Sequence, residues 1–161
     1  VGVTSATASG PSPFVKSDPT GDVVGSVTDS QGDTVDLTNV SYTIDNTTLT
    51  ITTRVVDLAQ TPGNQFASTK VFTVDGDFTL VSTLGEKPVL VATGSTLSPC
   101  KNASTTFSYA NDVVRQTVPL KCIGTQQFRL KSSSFLARNN GTELAKDSAR
   151  RTTELFASEP A

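Results

Sequence analysis

The chain has no histidine, no tryptophan and no methionine, only two cysteines, and no long apolar run. Each absence closes a route to function. Without histidine the commonest general base is missing, and with it the Ser-His-Asp triad and most zinc sites. No segment is long or apolar enough to be a signal peptide or to span a membrane as a helix. No basic patch with interleaved aromatics is present, which argues against nucleic acid as a partner. The chain opens Val1-Gly2-Val3-Thr4-Ser5-Ala6 without an initiator methionine, the expected look of mature material downstream of a cleaved signal. A secreted, extracellular or cell-surface protein is therefore expected.

The two cysteines are Cys100 and Cys122. A lone pair in a Thr-rich, β-rich chain predicts one disulfide in an oxidising compartment. Such a bridge would contribute about 3 kcal/mol through the closed loop. The alternative is two free buried thiols. Two thiolates without histidine leave zinc short of ligands.

What is present points to β-structure. Of the 161 residues only 35% are hydrophobic, and Thr, Ser and Asn fill the difference, as suits a two-layer fold with wet outer faces. From Val35 to Leu58 apolar residues alternate with polar ones on two arms joined at Asp45-Asn46-Thr47-Thr48. Val40, Tyr42 and Ile44 lie on one arm, Leu49, Ile51 and Val55 on the other. A period of two on both arms predicts a β-hairpin with one buried face. Asp75-Gly76-Asp77 predicts a second hairpin between Lys70–Val74 and Phe78–Val81. Ala110-Asn111-Asp112 predicts a third, between Thr105–Tyr109 and Val113–Val118. Short strands are expected at Val23–Val27, at Val89–Ala92 and around Phe128, Leu130 and 135–137, and Asp29-Ser30-Gln31-Gly32-Asp33 reads as a turn. Thr142 to Arg151, with Leu144, Ala145 and Ala149 at helical spacing, suggests a short C-terminal helix.

The expected fold is a single antiparallel β-sandwich of jelly-roll or immunoglobulin-like type with one disulfide. Residues 1–17 form an extended leader, 18–138 the sandwich, and 139–161 a polar C-terminal segment. Phe14 and Phe156 stand in polar surroundings near the two ends. Either could plug a groove in this subunit or a neighbour, and Ser9 to Lys16 could add a strand to a sheet edge.

Several short motifs resemble a group of small secreted β-sandwich proteins, common in actinobacteria, with no assigned activity. They are Asp18-x-x-Gly21-Asp22, Asp36-Leu37-x-x-Val40, Arg54-Val-x-Asp57-Leu58 and Val118-Pro119-x-x-Cys122-Ile123-Gly124. The resemblance implies a Cys100–Cys122 bridge and a late aspartate, matched by Asp147. More distantly such sandwiches are similar to family 9 carbohydrate-binding modules and to DOMON domains. The former stack sugars on tryptophan and the latter ligate haem through Met and His, so this chain departs from both where function lies.

The acids offer the remaining chemistry. Asp18, Asp22, Asp29, Asp33 and Asp36 cluster in sequence, and calcium takes carboxylate and carbonyl oxygens. The competing explanation is Asx-turn chemistry without metal. If calcium binds, the expected ligands are Asp18, Asp22 and Asp147. A carboxylate-pair hydrolase would need acids facing a cleft, whereas most acids here sit in turn signals. Ser98-x-x-Lys101 lacks a companion motif and is read as coincidence. Four sequons, at Asn39, Asn46, Asn102 and Asn140, are expected by chance in so Thr- and Ser-rich a chain. Residues 1–60 are acidic and 61–131 mildly basic, which could support head-to-tail association. The expectation is a non-catalytic secreted interaction or structural protein that self-assembles through its ends. The alternatives are a carbohydrate-binding module with a calcium site, recognising a cell-surface glycan, and a hydrolase.

Overall fold

In a computed structural model the described residues are 14–25, 29–45, 47–58, 65–73, 76–83, 89–92, 103–123, 127–137, 143–149, 152 and 155–156. The elements run β1 (Phe14–Ser17), β2 (Val24–Gly25), α1 (Asp29–Val35), β3 (Leu37–Ile44), β4 (Thr48–Val55), β5 (Gln65–Thr73), β6 (Gly76–Thr83), β7 (Val89–Ala92), β8 (Ser104–Ser108), β9 (Val113–Pro119), α2 (Leu120–Ile123), β10 (Gln127–Ala137), β11 (Glu143–Ser148) and β12 (Leu155–Phe156). One antiparallel sheet has the order β1-β3-β4-β9-β8, the other β2-β11-β10-β5-β6-β7, with β12 paired to β10. An all-β fold of two antiparallel sheets is therefore as expected.

The expected first hairpin is β3–β4, with Tyr42 opposite Ile51 and Ile44 opposite Leu49. Asp45 sets its turn, since Oδ1 accepts the N–H groups of Thr47 (2.8 Å) and Thr48 (2.7 Å). This is an Asx turn, in which a short side chain does the work of a backbone carbonyl. Alternation then sends Val40, Tyr42, Ile44, Leu49, Ile51 and Val55 inward. They share one core with Val71 and Leu80 of the second sheet and with Val114, Val118 and Leu130. Burying each Leu or Ile contributes about 1.5–3 kcal/mol.

The interior is also polar. Tyr42 donates its hydroxyl to Ser132 Oγ (2.9 Å), and Ser132 Oγ lies 2.8 Å from Thr69 Oγ1. Thr69 donates to Gln116 Oε1 (3.1 Å), and Gln116 Nε2 donates to Ser82 Oγ (2.8 Å). Ser82 Oγ in turn meets Thr105 Oγ1 at 2.5 Å. This chain of bonds crosses between the sheets from β3 to β8, and it explains how a chain so poor in apolar residues closes an interior. Each hydroxyl or amide along this chain of bonds has a partner, so its desolvation is offset.

Three expectations are corrected. The C-terminal helix is absent: Glu143–Ser148 is the strand β11, paired along β10 from Ser133↔Ser148 to Ala137↔Glu143. Ala145, Asp147 and Ala149 are buried while Lys146 is exposed, a period of two that overrides the helical propensity of Glu, Leu, Ala and Lys. Asp29 to Asp33 is not a turn but the start of α1, because Asp and Ser serve equally as helix N-terminal and turn residues. The separate last strands are one continuous β10, whose Ser132-Ser133-Ser134 stretch is buried.

Pairing also extends past both expected domain boundaries. Phe14–Ser17 of the leader pairs with Tyr42–Asn39 at the edge of its own sheet. Leu155 and Phe156 pair with Phe128 and Gln127. No described cysteine is free. Cys122 is half-buried in α2 against the core, and Cys100 lies outside the described residues.

Candidate acidic site and arginine cleft

Asp18, Asp22 and Asp147 come together, and one carboxylate oxygen from each lies within 4.8 Å of the others. Sequence distance gives no hint of this, since Asp147 is more than a hundred residues from Asp18. Two strand pairings and a turn create it. Asp18 follows β1, and its N–H donates to Thr38 O (2.9 Å), continuing the β1–β3 ladder. Gly21, at φ +85°, turns the chain back, a conformation that suits glycine. Asp22 then leads into β2, whose Val24 and Gly25 pair with Lys146 and Ala145, next to Asp147. Val23 packs on Val35 and Ala145 beneath this return.

Asp147 is almost fully buried and closes the gap between the sheets. Its Oδ2 accepts the N–H of Leu37 (2.7 Å), and its Oδ1 accepts the N–H of Ser148 (2.8 Å). Asp36, equally buried, lies beside the cluster: its Oδ2 accepts the N–H of Gly21 (2.7 Å), while its Oδ1 has no partner. Asp18 Oδ2 is also buried without a donor. Among the described residues no cation reaches these acids, the one ion pair being Lys70–Asp77 in the other sheet's β5–β6 hairpin.

Crowding shows in the protonation. Burial, then the charges of Asp147 and Asp22, push the Asp18 carboxyl up to about 7. Burial also raises Asp147, against the lowering effect of the Leu37 and Ser148 N–H groups. The arrangement can accommodate a proton on Asp18 or a cation among the three acids, and either would relieve the crowding of their charges. General-base catalysis suits it poorly, because both oxygens of Asp147 are committed to backbone amides and Asp147 is closed to solvent.

A second site was not legible in the sequence. On the outer face of the first sheet, Arg54, Thr106, Ser108, Asn111, Val113 and Arg115 line a cleft of about 430 Å³. Register puts them on one face: Arg54 is opposite Val113, Ser108 is opposite Val113, and Thr106 is opposite Arg115. The outer face of the β3–β4 hairpin thus supplies Arg54 to a binding-shaped surface. The only signal available was two arginines at outward positions of separate strands.

The remaining predicted residues are placed as follows. Phe14 opens β1, 43% exposed, and Phe156 ends β12 opposite Gln127. Ser98 and Lys101 lie outside the described residues. Among the described residues no helix is long and apolar enough to cross a membrane. No protein-family model matches the chain, and comparison with curated proteins and with solved structures finds no match.

Proposed function

We propose that this is a non-catalytic, secreted β-sandwich domain with an interaction or structural role, and that calcium bound by Asp18, Asp22 and Asp147 fixes its N-terminal segment. The observation that carries the reading is the convergence of three carboxylates, two from the β1–β2 connection and one from β11, beside a buried Asp36 whose Oδ1 has no partner. Carboxylate oxygens without a nearby cation are the donor set calcium takes, and flexible coordination tolerates an exposed ligand such as Asp22. Main-chain carbonyls and water would complete the shell.

A bound ion would join the segment after β1 to β11, and so to the opposite sheet. That would hold β1 over the edge of β3, which otherwise offers unpaired backbone groups to another chain. The absence of histidine and the commitment of Asp147 to backbone amides favour a non-catalytic role. A Cys100–Cys122 disulfide belongs to the same proposal, supported by the lack of a free thiol at Cys122. It would suit an oxidising, extracellular setting.

Isothermal calorimetry with calcium, alongside melting curves in calcium and in chelator, tests the ion. Binding heat and a raised melting temperature that both vanish in Asp22→Asn are expected. No heat and no shift in the native chain would overturn the calcium assignment.

A further inference from the structure

We propose that the cleft between Arg54 and Arg115 binds the carboxylate or sulfate of an acidic glycan. The inference is independent of the calcium ion, which belongs to other residues. It begins with two like charges placed together. Arg54 sits opposite Val113, and Arg115 follows two residues along the same strand, so the arginines are diagonal neighbours on one face. Such neighbours lie within reach of each other's long side chains, and like charges there repel. Among the described residues neither arginine has an ion pair. Two carboxylates lie three residues from an arginine in sequence, Asp57 and Asp112; neither makes an ion pair with an arginine among the described residues, and Asp112 Oδ1 accepts the N–H of Leu58 (2.9 Å). Among the described residues no acid lines the cleft. In a chain of net charge −2 this is a local concentration of the minority charge.

The other lining groups identify the ligand class. Thr106 and Ser108 present hydroxyls from β8, and Asn111 presents a carboxamide held by its Nδ2 bond to Ser108 Oγ (3.0 Å). Asp112, at φ 55°, makes the tight turn that brings Asn111 over the end of the cleft. Val113, 5% exposed, forms an apolar floor. Guanidinium forks bind planar oxyanions through paired N–H donors. Short hydroxyls and an amide both donate and accept, as a sugar's hydroxyls require, and a small apolar floor suits a C–H face. Among the described residues no aromatic ring lines the cleft for stacking, so charge must supply what stacking supplies to neutral sugars. A peptide partner is less well matched, because the cleft has no apolar pocket for an anchoring side chain. Its volume is in the range of small-ligand sites and accommodates a short oligosaccharide segment.

Calorimetric or NMR titration of the full chain at low ionic strength tests this with four probes. They are tetragalacturonate, its methyl ester, a sulfated tetrasaccharide and tetra-aspartate. Binding of the uronate, the sulfated sugar or both is expected, with the stronger of the two naming the oxyanion. The neutral ester should bind at least tenfold more weakly, and binding should weaken as salt rises. Arg54→Gln and Arg115→Gln should each weaken binding about tenfold while leaving the circular dichroism spectrum unchanged, since both side chains are exposed. Lys70→Gln, the same charge change on the other sheet, should have no effect. The proposal is overturned if neither charged sugar binds at about 10 mM, if the ester binds as well as the uronate, if Lys70→Gln is as damaging as the arginine variants, or if tetra-aspartate binds as tightly as the sugars.

Discussion

Asp147 Oδ2 accepts the backbone N–H of Leu37 at 2.7 Å, so a carboxylate from β11 completes the hydrogen bonding of the first residue of β3 in the opposite sheet. Leu37 is itself fully buried, and its N–H has no route to water. Asp147→Ala would leave that donor unpaired and open a small void. The expected loss is about 1–3 kcal/mol, read from urea unfolding. Asp22→Asn, which removes a repelling charge at an exposed position, should not lower stability in chelator. Equal stability of Asp147→Ala and the native chain would show that the bond carries no net stabilisation.

Asp18 gives the acidic site a pH signature. Its folded pKa is about 7 against an ordinary 3.8, so the folded chain binds more protons than the unfolded chain between those values. Stability from this group is fully present below about pH 4 and is lost as pH rises through 7. In chelator the melting temperature should therefore fall between pH 5 and 8, as far as this group contributes, and Asp18→Asn should flatten that fall. Calcium competes with the proton, so its affinity should climb over the same interval and the fall should disappear in saturating calcium. A calcium affinity independent of pH from 5 to 8 would contradict this competition.

The inter-sheet polar chain is testable at its Tyr42 end. Ser132→Ala leaves the fully buried Tyr42 hydroxyl without its acceptor and should cost about 1–3 kcal/mol. Tyr42→Phe/Ser132→Ala should lose less than the sum of the single changes, since together they remove the pair. Burial pushes the Tyr42 hydroxyl up to about 12 from an ordinary 10.0, partly opposed by Ser132. Its stabilising contribution is accordingly complete below pH 10 and lost between 10 and 12, a loss absent from Tyr42→Phe. Additive single changes in chemical unfolding would disprove the coupling.

The β1 edge makes a prediction about assembly. Phe14–Ser17 covers the outer edge of β3, and Phe14 and Val15 remain exposed at 43% and 54%. Deleting residues 1–17 should expose the β3 edge and change the association state seen by sedimentation velocity and electron microscopy. A monomer before and after the deletion would remove the terminal segments from any assembly mechanism.

The β3–β4 hairpin was legible because its evidence is local: two-residue alternation and an Asx turn fix both its pairing and its buried face. The β8–β9 pair was legible for the same reason, with Asn111 and Asp112 marking its turn. The buried faces of β10 and β11 were not. Ser132-Ser133-Ser134 has no apolar alternation, and Glu143 to Ser148 has helix-forming composition. These segments become strands because their neighbours supply ladder bonds, and Ser132 can be buried because Tyr42 and Thr69 meet it there. Asp18, Asp22 and Asp147 could be named as candidates from motif and resemblance. Only the β1–β3 and β2–β11 pairings bring their oxygens together, and only register makes Arg54 and Arg115 neighbours. The sequence alone thus determined the β class and the first hairpin, through side-chain period and turn chemistry acting over a few residues. Tertiary structure decided the acidic cluster, the arginine cleft and the polar interior, because each depends on pairing between segments far apart in the chain.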